Sequence, residues 1–190
     1  ADQNLIKKLI NIYNPRLIIF LDCGSNSHSA IKYIKTKGIS SLIIDHHNTY
    51  IPYPLSDVFI NPKKDVDYKK YDYLCTTFLT YMFIDLYIRL DKSKYMLNDD
   101  QIYVLLATIA DVMPLRGINK ILAINVIKSF DVNKNFIFKN LLKILDIKKK
   151  IEINDLGYKI APLLNSAGRL ANANKIVELL TTKSKTIIIK

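Results

Sequence analysis

Three places in this 190-residue sequence carry side chains suited to chemistry: Asp22, the run Asp45-His46-His47, and Asp111. Asp22 follows the apolar run Leu17-Ile18-Ile19-Phe20-Leu21, and Asp45-His46-His47 follows Ser41-Leu42-Ile43-Ile44. Both stand at the carboxyl end of an expected strand, where the loops of an open parallel sheet converge on one crevice. Carboxylates and imidazoles brought to one sheet edge are close enough to share an ion. A mixed oxygen and nitrogen set suits manganese, iron or zinc better than calcium, which takes oxygen only. Taken alone, the same residues also fit a helix-capping aspartate and two loop histidines. Asp111 follows the apolar stretch Ile102 to Ala110 and precedes Val112-Met113-Pro114-Leu115. A carboxylate bracketed this way must be solvated, paired or bound to metal, because burying it bare costs several kcal/mol. A helix-end aspartate facing water is the other reading.

The elements that would position these groups are legible from apolar spacing. Leu5, Ile6, Leu9, Ile10 and Tyr13 recur at helical intervals over residues 4–13, and Pro15 ends that helix. The runs at 17–21 and 41–44 are short, continuous and rich in β-formers, as strands buried on both faces are. Between them, Ser27 or Ser29 caps a helix running to about Lys37, with Gly38 as its stop. Strand, helix, strand in this rhythm is a βαβ unit with parallel strands and a right-handed crossover. Val58-Phe59-Ile60 before Asn61-Pro62 reads as a third short strand, and Lys63 to Lys70 as a surface loop. Helices are expected over roughly 73–90, 99–110, 118–129, 135–146 and 172–181, with Lys148-Lys149-Lys150 as a hinge. The fold class is α/β, a doubly wound and mostly parallel sheet followed by a helical portion.

Length and composition narrow the class. A chain of 190 residues is one full domain, with room for a fragment of a second. Its 49% hydrophobic and 24% charged residues are ordinary globular values, so the chain can bury a sizeable core and need not be disordered, and collagen-like and low-complexity classes are excluded. No apolar run approaches the roughly 18 residues that span a bilayer, and no signal peptide opens the sequence, so a soluble cytoplasmic protein without a membrane partner is expected. The two cysteines, Cys23 and Cys75, have no metal-ligand spacing and fit a reducing compartment; Cys75 reads as core, and His28 as a cap-region residue near solvent. Formal charge is +11, but 24 of the 28 basic residues are Lys, in a chain crowded with Ile, Asn and Tyr. Location says more than the total: residues 1–60 and 61–130 carry +2 each, whereas 131–190 carry +7. A polyanionic partner such as nucleic acid would meet that last third.

Four ordered segments carry a family resemblance: Ile18 to Gly24, Ile43 to Asn48 with the Asp45-His46-His47 triplet, Leu106 to Leu115, and Pro162 to Leu170 with Asn165-Ser166-Ala167-Gly168-Arg169. Together they resemble the DHH phosphoesterase superfamily, and within it the RecJ-type exonucleases of DNA repair and recombination. The resemblance implies metal-dependent hydrolysis of single-stranded DNA from the five-prime end, with one or two Mn or Mg ions. It implies Asp22, His46 and Asp111 as metal ligands, Asp45 and His47 as catalytic groups beside them, and Asn165, Gly168 and Arg169 as phosphate contacts. A guanidinium suits that last role, giving phosphate a planar, two-pronged donor that Lys lacks.

Two departures shape the expected organisation. The family opens with a strand and an aspartate-rich segment that supply further carboxylates, and it closes with a second domain; neither is matched here. The chain is therefore expected to be the central part of such an enzyme, truncated at both ends. Residues 1–147 would form the DHH domain, and 148–190 the continuation carrying the Asn-Ser-Ala-Gly-Arg element. On its own the chain is expected to hydrolyse DNA poorly, with a separately encoded remainder of the enzyme as a candidate partner. The alternatives are another DHH activity, on oligoribonucleotides, cyclic dinucleotides or pyrophosphate, or a degenerate, non-catalytic remnant that binds nucleic acid.

Overall fold

The computed structural model describes residues 2–64, 66–92, 94, 97, 100–148, 150–170 and 173–182, the side chains of 167–170 excepted. The chain forms two compact units, Ala1–Met96 and Leu97–Lys190. The boundary near 147 expected from the family falls inside the second unit.

In the first unit, α1 (Gln3–Tyr13) begins with the Asp2 carboxylate accepting from the Asn4 amide at 3.2 Å. It ends with Asn14 at φ 43°, the left-handed conformation that closes many helices, immediately before Pro15. Next come β1 (Leu17–Leu21), α2 (His28–Thr36), β2 (Ser40–Ile44) and β3 (Val58–Ile60). The strands are parallel in the order β1-β2-β3, with Phe20, Ile43 and Phe59 in register. These three residues point to one face. There Phe20 and Ile43 join Ile6 of α1 and Ala30, Ile31 and Ile34 of α2 in one core. On the other face Leu42 and Ile44 are buried and α3 (Thr76–Leu90) packs against β2. Helices on both faces make the sheet doubly wound, as the apolar runs predict.

Two expectations for this unit change. In the described three-stranded sheet β1 is one of the two edge strands, and Leu17, Ile19 and Leu21 are about half exposed while α3 packs against its neighbour β2. The segment read as a loop at 63–70 winds into an exposed 3-10 turn at Val66–Tyr71, and α3 starts at Thr76 rather than 73.

The second unit is helical: α4 (Gln101–Ala110), α5 (Gly117–Ser129), α6 (Phe136–Ile144), a short α7 (Ile153–Asp155), α8 (Ala161–Leu170) and α9 (Ala173–Thr181). α4 buries Ile102, Val104, Leu105, Leu106 and Thr108, too many for one stripe, because α5 and α8 pack around it. Phe138 of α6 is fully buried, with Tyr103 and Phe130 edge-on at 5.5 and 5.4 Å between ring centres. Residues 153–170, for which apolar spacing predicts no helix, run from α7 through a π-helical stretch, Leu156–Ile160, into α8. A Cβ on Gly157 would lie 3.2 Å from the Ile109 side chain, so the glycine permits a close approach to the end of α4. No described helix is long and apolar enough to cross a membrane.

Candidate metal centre

The parallel ladder continues one residue past each strand. The Asp22 amide donates to Ile44 O at 3.1 Å, and the Asp45 amide to Ile60 O at 3.0 Å. The carboxyl ends of β1 and β2 thus deliver Asp22 and Asp45 side by side. Asp22 has φ 61°, a conformation aspartate tolerates better than most side chains, and this turns the chain sharply out of β1. Gly24 completes the turn at φ 112°, and a Cβ there would sit 3.1 Å from both Phe20 and Ile43. Only glycine fits that approach, which brings Ser25 inward, buried beneath the His47 loop.

Asp45 is 1% exposed and its carboxylate is fully engaged. Oδ2 accepts from the Ser25 amide at 3.0 Å; Oδ1 accepts from the His46 and His47 amides at 2.8 and 3.2 Å and meets His47 Nδ1 at 2.7 Å. Burial alone would raise its pKa, but the hydrogen bonds from Ser25 and His47 outweigh it and hold the carboxyl at about 2. An ionised partner at Nδ1 fixes the proton of His47 on that nitrogen and turns Nε2 outward as a lone pair. Asp45 is therefore placed to orient His47.

Around this anchor the donors converge. His46 Nε2 lies 3.5 Å from Asp22 Oδ1, and the two imidazoles meet edge-on at 4.8 Å between ring centres. Asp22, His46 and His47 each offer one ligand atom, and these atoms lie within 4.8 Å of one another. His46 is buried, while the side chains of Asp22 and His47 are 57% and 58% exposed, so the group opens to solvent on one side. Two imidazole nitrogens and a carboxylate oxygen form a donor set that fits a divalent transition ion. His47, expected beside the ligands, is thus drawn into the donor group itself.

Asn61 is a residue that sequence reasoning missed. It is buried, and its Nδ2 donates to Ser25 Oγ at 2.8 Å and to His47 O at 2.9 Å, while its Oδ1 accepts from the Lys63 amide at 2.8 Å. One side chain ties together the loops that follow β1, β2 and β3. Thr49 adds a second tie, its hydroxyl donating to Ser25 O at 3.0 Å. The one available signal is the pair Asn61-Pro62 after a short strand, which by itself marks only the strand's end.

The other expected site residues lie in the second unit. Asp111 is the exposed cap of α4, and the next residues close the helix by two bonds, Val112 N to Ile109 O and Met113 N to Thr108 O, both 3.0 Å. Val112 takes φ 54° to do so, and the fully buried Asn119 holds the following loop through Pro114 O at 3.0 Å. Asn165 is exposed on α8; Gly168 and Arg169 are in its last turn, and the Arg169 side chain lies outside the described residues. His28 is exposed and Cys75 buried.

The profile of the DHH family, N-terminal domain, matches residues 2–113. Among curated proteins, the single-stranded-DNA-specific exonuclease RecJ of Escherichia coli is 28% identical over 181 residues, covering 87% of this chain and 31% of the relative. The chain thus spans about a third of that relative's length. Among solved structures, RecJ from Thermus thermophilus in complex with Mn2+ superposes with a TM-score of 0.83 at 20% identity, over 98% of this chain and 28% of that one. A second, exonuclease RecJ bound to manganese, gives 0.85 at 20% identity, over all of this chain and 47% of its own. The fold is shared, and the chain belongs to the DHH phosphoesterase family as a RecJ-type member.

Proposed function

We propose that this chain supplies the ion-holding part of a centre that hydrolyses phosphodiester bonds of single-stranded DNA from the five-prime end. One observation carries the reading. In a chain of the DHH family, Asp22, His46 and His47 bring their donor atoms within 4.8 Å at the carboxyl edge of a parallel sheet. Asp22 and His46 would hold a divalent ion, Mn or Mg, and Asp111 is the further ligand implied by the family resemblance. When bound, one or two such ions lower the pKa of a water and neutralise charge on the phosphoryl oxygens.

The chain's own residues do the rest. Asp45 keeps the proton of His47 on Nδ1, so Nε2 faces solvent, available as a ligand or, once protonated, as the donor to the leaving oxygen. Hydrolysis would bond the water oxygen to phosphorus and break the ester P–O bond, with one proton leaving the attacking water and one taken up by the leaving oxygen. Asn165, Gly168 and Arg169 would contact backbone phosphates, and the +7 balance of residues 131–190 would hold the strand.

The test joins this chain to an upstream aspartate-rich segment of the family and supplies Mn2+ with a five-prime-labelled single strand. Shortening from the labelled end, abolished by Asp22→Ala, His46→Ala or Asp111→Ala, is expected. Faster hydrolysis of oligoribonucleotides, cyclic dinucleotides or pyrophosphate in the same panel would overturn the choice of substrate. Hydrolysis indifferent to all three substitutions would overturn the choice of centre.

A further inference from the structure

Beside the Asp22, His46 and His47 group, the same sheet edge has a second opening. The loop that leaves His47 and the loop that leaves β3 enclose a cleft of about 460 Å³, lined by Tyr50, Lys63, Lys64 and Lys69 among others. This lies within the ~300–1,000 Å³ of small-ligand sites. Its position follows from topology: the donor group sits where β1 and β2 end, and the cleft sits where β2 and β3 end.

We infer that this cleft seats one nucleotide of a single strand, next to the nucleotide whose phosphate reaches the donor group. The inference rests on the proposed function and extends it to a binding subsite. Three observations support it. Lys63 and Lys69 are exposed cations at the cleft wall, and the Lys64 ammonium is held over the rings of Tyr53 and Phe59 at 5.5 and 5.3 Å, so one cation is fixed in place. Tyr50 is 72% exposed, an aromatic face open to stacking by a base, and base–aromatic stacking tolerates any sequence. Finally, the two openings share a wall: Asn61 bonds His47 O on one side and the Lys63 amide on the other, so their spacing is built into the fold. Among the described residues the lining has one acidic group, Asp72, against the three lysines Lys63, Lys64 and Lys69. A cationic wall with an aromatic platform is what single-strand binding requires.

The experiment uses the full 190-residue chain and a fluorescent oligothymidylate, with binding read by anisotropy across a salt series and Mn2+ binding read by calorimetry on the same samples. K63A/K69A is expected to flatten the salt slope by about 1.4, at about 0.7 for each phosphate no longer neutralised. K32A/K35A, which removes two charges from α2, is expected to leave the slope as it is. Tyr50→Ala is expected to weaken binding roughly fivefold or more, and Tyr50→Phe to restore it. Mn2+ binding should be unchanged in every one of these variants. If K63A/K69A matches K32A/K35A and Tyr50→Ala binds as the parent does, the cleft is not a nucleotide subsite, whatever the Mn2+ result. If the parent takes up no Mn2+ while the cleft variants lose DNA, the proposed centre fails and the cleft stands.

Discussion

Replacing Asp45 by Asn tests the anchor of the candidate centre with almost no change of shape. The carboxyl is held at about 2 against an ordinary 3.8. A folded-state pKa below the unfolded one means stability that is fully present above about pH 4 and is lost as pH falls toward 2. The shift corresponds to about 2 kcal/mol at neutral pH. Asparagine keeps one oxygen. If that oxygen stays with His46 and His47, its NH2 faces the Ser25 amide, donor against donor, and one buried N–H loses its acceptor at a cost of about 1–3 kcal/mol. The two figures count overlapping bonds, so the variant should be less stable by about 2–3 kcal/mol at pH 7. Urea unfolding at pH 7, 4 and 2 measures this. The gap between parent and variant should persist at pH 7 and close for the most part by pH 2, because only the parent loses its carboxylate. A gap of equal size at all three pH values would refute the assignment, as would a variant as stable as the parent at pH 7.

Asn61→Ala should cost about 1–3 kcal/mol in urea unfolding, because Ser25, His47 and Lys63 lose a common partner, and it should weaken Mn2+ binding by freeing the His47 loop. Val112→Gly should raise the stability of the second unit by about 1 kcal/mol, since a β-branched residue in the left-handed region is strained and glycine is not; thermal unfolding followed by circular dichroism reads this.

The legible parts of the chain were those with local causes. Leu17 to Leu21 and Ser41 to Ile44 are continuous apolar runs too short for helices, and they form parallel strands within one residue of their expected bounds. Placing Asp22 beside Asp45-His46-His47 needed only the rule that parallel strands end on one edge. What escaped depended on distant partners. Asn61 acts through Ser25, thirty-six positions away, and no periodicity encodes such a bond. The exposure of Leu17, Ile19 and Leu21 goes with the edge position of β1 in the described sheet, which an apolar run does not reveal. The helical path through residues 153–170 contains Gly157, Pro162 and Gly168, which read as breakers. There Pro162 follows directly on the π-helical stretch Leu156–Ile160, inside one continuous helical path, and Gly157 is used for close packing on Ile109.

The central claim is that Asp22 and His46, in the donor group they form with His47, hold a divalent ion, and calorimetric titration of the chain with Mn2+ tests it most directly. Saturable binding is expected, weakened at least tenfold by Asp22→Ala and by His46→Ala, and unchanged by His28→Ala, which alters a histidine outside the donor group. Binding that ignores Asp22→Ala and His46→Ala, or that falls equally with His28→Ala, would contradict it.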